Sequence, residues 1–333
     1  MPRLRVWTHG WLSRATGWGL VLSTLSNALR SIGATGLLAS LVSCGGGGSA
    51  TNSSTAALTL ALPSHYVLKW EDEFDQPLGP VWDFDLGAPL VPAPPKPGGT
   101  VWGNRESQFY TKSADNVFVS NGKLIIQPVS GVPSDAPVRN PPLVATSARI
   151  KTDTDEYYKR LNGKPYGFYE IKAKVPCVAG AWPAIWMMGK DGDWPARGEV
   201  DIMEWFGGIQ EFKDKPNQVQ SAVHTSFNNW MIDSPGKPLF EKRDVANMCS
   251  EFHRFQLHWS ANEILTGVDD VPVFSYKKPI NAGPEKWPFD QPAHLLLNVA
   301  VGGNLGGEIN LNKLPNFKAM TMEVEYIKVW QAP

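Results

Sequence analysis

Cysteine, histidine and excess charge are all scarce in this chain. Its 333 residues include three cysteines and six histidines, and the formal net charge is −1. The cysteines are not clustered, which excludes a zinc site built from neighbouring thiolates. A nearly neutral chain also lacks the basic surface that attracts nucleic acids and anionic polymers, so we expect no nucleic-acid partner. After position 43, no stretch reaches the roughly 20 apolar residues of a membrane-spanning helix.

The N-terminal segment predicts export. Residues 1–43 carry arginines but no acidic residue and end in Leu41-Val42-Ser43, directly before Cys44. A basic region, a short apolar core and small residues before a cleavage point are typical of a secretory signal. The last four residues resemble a bacterial lipobox, which implies lipidation of Cys44; an ordinary signal cut elsewhere is the alternative. Residues 44–60 predict a flexible tether. We therefore expect a protein lipid-anchored at the cell surface or outer membrane, or otherwise secreted.

Residues 61–333 have the pattern of β-strands. Apolar and polar residues alternate with a period of two in 168–175, 255–259 and 320–326, as in strands with one buried face. The apolar run 295–301 suits a strand covered on both faces. Gly (31 residues) and Pro (28 residues) separate these runs, and no long helical periodicity stands out. The pattern predicts an all-β domain of two packed antiparallel sheets.

The two remaining cysteines, Cys177 and Cys249, leave two possibilities open. An exported pair can form one disulfide. Two buried free thiols fit the sequence equally well, because spacing along the chain does not fix proximity.

Three acidic residues crowd one predicted strand. Glu199, Asp201 and Glu204 lie among Val, Ile, Met and Trp, which favour a half-buried strand. An unpaired charge is costly to bury there. Carboxylate-pair chemistry is one reason for such a run, and an edge strand with a charged face in solvent is the alternative.

The spacing of these acids predicts a β-bulge. In a regular strand Glu199 and Asp201 would face one way and Glu204 the other. One extra residue between Asp201 and Glu204 returns Glu204 to the face of Glu199. The distance between the two Glu carboxyls would then approach the separation of roughly 5–5.5 Å that is typical of retaining glycosidases. Because two carboxylates so close cannot both ionise easily, one pKa should rise, which separates the acid from the base.

The acidic run is one of several blocks that occur in a familiar order. The others are Trp70–Phe74, Trp102–Thr111, Ser147–Ile150, Tyr166–Glu170, Ala181–Met187, His224–Thr225 and Leu297–Asn304. Together they resemble glycoside hydrolase family 16, in its laminarinase-like branch, through nearly the whole chain after the tether. The resemblance implies that 61–333 is a catalytic domain with a concanavalin A-like β-jelly roll and a concave substrate cleft. It also implies a monomer that requires no cofactor.

The same resemblance implies the roles of the three acids. Glu199 attacks the anomeric carbon and forms a glycosyl-enzyme, with net retention after double displacement. Glu204 protonates the departing oxygen and then deprotonates the incoming water. Asp201 holds Glu199 in position and tunes the proton balance.

Tryptophans and polar side chains in the matching blocks are candidates for sugar binding. The chain has 14 tryptophans, and core packing is the commoner role of any one. We expect at least two of the four near the acidic strand to form subsites, with Trp182 and Trp194 ahead of Trp186 and Trp205. Asn104 and Arg149 are expected to bind glucosyl hydroxyls, and a structural ion pair is the alternative for Arg149. His224 is expected to donate a hydrogen bond near Glu204, with a structural role as the alternative. Asn304 is expected to shape the cleft edge.

Two departures from the family pattern bear on metal binding and substrate. Glu325 stands where relatives often carry an Asp that binds structural calcium, so Glu73 and Glu325 are candidate ligands. The segment Gly303–Gly306 lacks a Trp that laminarinases often show after the Asn, which leaves the substrate preference open.

The resemblance predicts an endo-acting glycosidase that cleaves laminarin-like β-1,3-glucan. Mixed-linkage glucan, agar, carrageenan or a transglycosylase reaction are alternatives; neutral charge argues against sulfated polymers and the 102–106 block against agar. A non-catalytic glycan-binding sandwich at the cell surface is the third possibility. The intact acidic run opposes it, because binding alone requires no close pair of Glu residues.

Overall fold

The computed structural model describes residues 59–88, 103–231 and 233–333. The predicted signal segment 1–43, Cys44 and most of the predicted tether lie outside the described residues, as does Trp102. In the described part of the chain, no helix is long and apolar enough to cross a membrane.

Strands make up most of the regular structure. In chain order they are β1 (Val67–Asp72), β2 (Asp83–Phe84), β3 (Gln108–Tyr110), β4 (Val117–Val119), β5 (Leu124–Ile126), β6 (Val129–Ser130), β7 (Ala145–Ser147), β8 (Arg149–Lys151), β9 (Gly167–Lys174), β10 (Ala181–Gly189), β11 (Glu199–Glu204), β12 (Gln218–His224), β13 (Leu239–Asp244), β14 (His253–Trp259), β15 (Glu263–Val268), β16 (Val271–Lys277), β17 (Ala293–Val301) and β18 (Met322–Gln331). The helices are α1 (Asp155–Arg160), α2 (Gln210–Asp214), α3 (Gly303–Gly306) and a 3₁₀ helix at Phe317–Met320.

The strands form two large antiparallel sheets and one small sheet. The seven-stranded sheet has the order β13-β12-β11-β10-β17-β8-β2. The eight-stranded sheet runs β16-β15-β14-β9-β18-β5-β4, with β1 also paired to β18. In the small sheet β3 pairs β7 in parallel and β6 pairs β7 antiparallel. The predicted all-β, two-sheet jelly-roll sandwich is confirmed.

The hydrophobic core lies between the two large sheets. Alternate residues of β17, Leu295, Leu297 and Val299, are fully buried in it, as are Ile171 and Leu257 from the opposite sheet. The residues of β17 between them face the other way, yet they are buried too. The prediction that this strand is covered on both faces is therefore confirmed, and its second face carries the functional site.

A disulfide joins Cys177, just after β9, to Cys249, just before β14. The Cα atoms are 5.4 Å apart across a sequence separation of 72 residues, a distance normal for a disulfide. The structure thus decides a pairing that the sequence left open.

Candidate active site

A cleft of about 730 Å³ opens on the face of the seven-stranded sheet that points away from the core. Glu199, Asp201 and Glu204 all line it. The core side of the same strand is formed by Val200, Ile202 and Met203. Acidic residues and apolar residues are therefore sorted onto opposite faces of one strand.

A β-bulge produces this sorting, as the spacing predicted. The register of β11 against β12 shifts between Asp201 and Glu204. Two consecutive residues, Ile202 and Met203, thus both face the core, and Glu204 returns to the face of Glu199.

Gly198 allows the acidic strand to begin where it does. Its φ is +76°, a conformation that L side chains rarely adopt. A Cβ at this position would also lie 2.8 Å from Pro288 Cγ and 3.1 Å from the ring of Phe289. The absence of a side chain therefore fixes the start of β11 against the segment before β17, and with it the position of Glu199.

Each carboxyl of the cluster has a distinct partner. Trp182 Nε1 donates to Glu204 Oε1 over 3.0 Å. His224 Nε2 lies 3.0 Å from Asp201 Oδ2 and 3.9 Å from Glu199 Oε1. The expected hydrogen bond from His224 near Glu204 is therefore misplaced: β12 pairs His224 directly with Glu199, which directs its ring to the other end of the acidic run.

Burial raises the pKa values of all three acids, and repulsion from neighbouring carboxylates adds to the rise for Glu199 and Glu204. Burial, then the neighbouring Asp201, raises the pKa of Glu199 to about 8. Burial raises the pKa of Asp201 to about 7. Burial, followed by repulsion from Asp201, raises the pKa of Glu204 well above its usual value. The predicted rise is present, and it affects the whole cluster because burial removes water from each of the three carboxyls.

Three rows of directly paired side chains cross the sheet under the cleft, and the paired residues of neighbouring strands share a face. The rows are His224–Glu199–Met188–His294, then Phe240–Ala222–Asp201–Trp186–Leu296–Lys151, and finally Lys242–Gln220–Glu204–Ala184–Asn298–Arg149. A ligand that crosses the strands therefore meets the carboxyls in the middle of its path, with two strands on one side and four on the other.

Arg149 and Trp186 form one unit in the deep half of the cleft. The guanidinium lies over the Trp186 ring, 4.6 Å from its centroid, and its Nε is 2.9 Å from Asp85 Oδ2. Trp186 Nε1 donates to Asn298 Oδ1 over 2.9 Å. Both predicted residues line the cleft. The ion pair that was the alternative for Arg149 is present, and the stacked guanidinium covers one face of the Trp186 ring.

The two predicted asparagines meet at the rim of the cleft. The N–H of Asn304 donates to the carbonyl of Asn104 over 2.7 Å, and both residues line the cleft. Gly303 makes this approach possible, because its φ is +73° and a Cβ there would lie 2.5 Å from the Asn104 carbonyl oxygen. The two loops thus form one edge.

The four predicted tryptophans have different positions. Trp182, Trp186 and Trp194 line the cleft. Trp205 does not: it is 2% exposed, packs against Phe206 and Phe212, and donates its N–H to the Pro216 carbonyl. The prediction of Trp205 as a sugar subsite is wrong, because the bulge that brings Glu204 to the cleft turns the next residue away from it.

The candidate calcium ligands do not fit a cation site as they stand. Glu73 Oε1 is 2.5 Å from Lys328 Nζ, and Glu325 Oε2 is 2.7 Å from Lys172 Nζ. Each carboxylate is therefore already paired with a lysine, although Lys328 also lies 3.6 Å from Glu71. Among the described residues, the three potential metal ligands that lie close together are Glu199, Asp201 and His224. Neither Glu73 nor Glu325 belongs to this group.

Several cleft residues escaped the sequence reasoning. Trp230 and Met231 come from the loop between β12 and β13, and Asn298 and Arg197 line the deep half. Asn298 was detectable, because it is a polar residue within an apolar strand. Trp230 carried no such signal, since the loop matches no block and only the fold brings it to the cleft.

The protein is a β-sandwich with a tryptophan-lined cleft across one sheet, and three carboxyls of raised pKa lie in that cleft. This combination is typical of a glycoside hydrolase that acts on polysaccharides. The sequence pattern of Glycosyl hydrolases family 16 matches residues 106–327. The chain belongs to this family, and it is a glycosidase.

Relatives and solved structures agree with this assignment. The beta-glucanase of Rhodothermus marinus is 32% identical over 283 residues, which span 80% of this chain and 86% of that protein. The glucan endo-1,3-beta-glucosidase of Cryptopygus antarcticus is 32% identical over 278 residues, or 80% of this chain and 92% of that protein. The structure of SCLam, a non-specific endo-beta-1,3(4)-glucanase, superimposes with a TM-score of 0.66 at 31% identity, over 83% of this chain and 94% of that one.

Proposed function

We propose that this protein is a retaining endo-β-1,3-glucanase in which Glu199 is the nucleophile and Glu204 the acid and base. The observation that carries the proposal is the bulge that places both glutamates and Asp201 in one cleft. Binding alone does not require three acids in one cleft, and their raised pKa values would be a cost without a catalytic purpose. This argues against a non-catalytic glycan-binding module.

Trp182 prepares Glu204 for general acid catalysis. An indole N–H is only a donor, so Oε1 of Glu204 acts as an acceptor. The proton of the neutral acid is thereby left on Oε2, free for the departing glycosidic oxygen. Burial raises the pKa of Glu204 and thereby favours its neutral, proton-donating form, and the same group removes a proton from water in the second step.

Asp201 and His224 set the charge on Glu199. Single atoms of these three side chains lie within 4.8 Å of one another. The pKa values of Glu199 (about 8) and Asp201 (about 7) are close. Moving a shared proton between Glu199 and Asp201 therefore costs little free energy, because the two carboxyls bind it with similar affinity. Asp201 thus holds the proton while Glu199 attacks, and His224 stabilises Asp201 when it is ionised.

The substrate assignment is supported by the relative named as a glucan endo-1,3-beta-glucosidase, by the similar structure named as an endo-beta-1,3(4)-glucanase, and by the shape of the site. The cleft is lined on both sides of the catalytic strand, which suits attack within a polymer. The near-neutral chain argues against sulfated polymers. Mixed-linkage glucan, agar, carrageenan and glycosyl transfer remain the alternatives for the test to separate.

Product release from laminarin, lichenan, agarose and carrageenan tests the substrate, and we expect laminarin to be cleaved fastest. NMR of the first products should show the β-anomer, as retention requires. Glu199→Gln should abolish hydrolysis while laminarin binding persists, with the exposed Glu308→Gln as a matched control. Unchanged hydrolysis by Glu199→Gln would eliminate the assigned nucleophile.

We also propose export, with a lipid anchor at Cys44. The N-terminal sequence supports it, and so does the Cys177–Cys249 disulfide, because disulfides persist mainly in oxidising compartments. Labelling cells with a radioactive fatty acid should mark the wild-type protein and leave Cys44→Ala unlabelled. A structural calcium is the weaker proposal, since lysines hold both candidate carboxylates; a thermal midpoint that EDTA does not change would end it.

A further inference from the structure

An exposed tryptophan lies at the shallow side of the cleft. Trp230 is 57% exposed and lines the cleft from the loop between β12 and β13. Its ring packs on Phe240, with the centroids 5.2 Å apart. More than half of the Trp230 surface is therefore open, although its lower side already has a partner.

Sheet register places Phe240 relative to the catalytic strand. Asp201 pairs with Ala222, and Ala222 pairs with Phe240. The three side chains thus form one row on the cleft face. Neighbouring strands lie about 4.8 Å apart, so Phe240 is about 10 Å from Asp201 along this row. The intervening residue is Ala222, a buried residue with a short side chain, so no bulky side chain stands in this row between Asp201 and Phe240.

The two halves of the cleft differ in what they offer a sugar. On the β10 side the carboxyls are followed by polar groups in an enclosed space, including Asn298, Arg149 and Asn104. On the β12 side the row continues to the Phe240–Trp230 pair. In double displacement one half of the polymer stays covalently bound while the other half departs before water enters. The enclosed, polar half suits the retained sugar, and the shallow half suits the leaving part.

We infer that Trp230, supported by Phe240, is a sugar-stacking platform for the departing part of the glucan, about two glucosyl units beyond the cleaved bond. The inference rests on the proposed function and deepens it. A flat exposed indole beside a polysaccharide cleft matches the CH-rich face of a pyranose ring, and the partner ring holds the indole at a fixed tilt. The platform also gives an incoming acceptor sugar a place to bind, which favours glycosyl transfer over hydrolysis.

Trp230→Ala tests the platform with two substrates of different length. On laminarin we expect kcat/KM to fall about tenfold, which corresponds to about 1.4 kcal/mol. On p-nitrophenyl β-laminaritrioside, whose leaving group is too short to reach Phe240, kcat/KM should stay within twofold of wild type. Transfer to added laminaribiose should also fall in Trp230→Ala. Trp230→Tyr keeps a stacking ring and should recover most of the loss.

Ile280→Ala is the matched control, because Ile280 is 94% exposed and does not line the cleft. An equal loss of Trp230→Ala on both substrates would overturn the inference, since it would mean that Trp230 supports the catalytic residues. No loss on laminarin would overturn it as well. Failure of the proposed function looks different: the wild type itself would leave laminarin intact. The same comparison of polymer with aryl glycoside, made on the glucan it does cleave, then decides the platform separately.

Discussion

Replacing the proposed nucleophile should stabilise the protein at high pH. Burial raises the pKa of Glu199 from its usual value of 4.5 to about 8. A group whose pKa is raised by folding contributes stability below its unfolded pKa and loses it as the pH rises through the folded pKa. The wild type should therefore lose stability as the pH rises from 4.5 to 8. Glu199→Gln cannot ionise at this position, so it should keep its stability over the same range.

The size of this effect follows from the shift. Moving from 4.5 to about 8 spans about 3.5 units, and each unit is worth about 1.36 kcal/mol, which gives about 5 kcal/mol. The figure is an upper limit, because part of the shift comes from the neighbouring Asp201, whose own charge changes over the same pH range. We expect Glu199→Gln to exceed the wild type by about 2–5 kcal/mol at pH 9, and the two to be nearly equal at pH 4.5.

Urea unfolding followed by tryptophan fluorescence measures this difference at the two pH values. The exposed Glu308→Gln serves as the control and should track the wild type throughout. If Glu199→Gln is no more stable than wild type at pH 9, the carboxyl is not desolvated as the structure indicates, and the argument for a shared proton fails with it.

Three further predictions concern single contacts. Trp182→Phe removes the hydrogen bond that holds down the pKa of Glu204, so the alkaline limb of kcat/KM should move up by about one pH unit; a limb that stays or moves down would contradict this. Replacing Cys177 and Cys249 together by serine should cost about 4 kcal/mol in urea unfolding, because the disulfide closes a 72-residue separation, and a loss under about 1 kcal/mol would refute that loop-entropy estimate. Trp205→Ala should cost about 3–5 kcal/mol without changing KM, whereas a raised KM in a stable variant would return Trp205 to the sugar site.

The local sequence pattern predicted correctly those features that depend on a single strand or a short motif. Alternation predicted the two-sheet sandwich, and the odd spacing of Glu199, Asp201 and Glu204 predicted the bulge. The blocks around Asn104 and Asn304 also reached the cleft as expected. In each case the signal is the side-chain period of a single strand or a short motif.

Errors arose where a side chain depends on partners distant in sequence. Trp205 adjoins the acidic run, so nearness along the chain suggested a subsite, but the residue after the bulge points into a separate apolar cluster. His224 lies beside Glu199 because of the register between β11 and β12, a quantity that the spacing of residues does not contain.

The sequence by itself determined the strand pattern, the family and the three acids. Only the tertiary structure decided the disulfide, the rows of side chains that cross the sheet, and the place of Trp230 at their end. The physical reason is that a strand's period is written in consecutive residues, whereas its neighbours in the sheet are set by core packing and hydrogen-bond register between segments far apart in the chain.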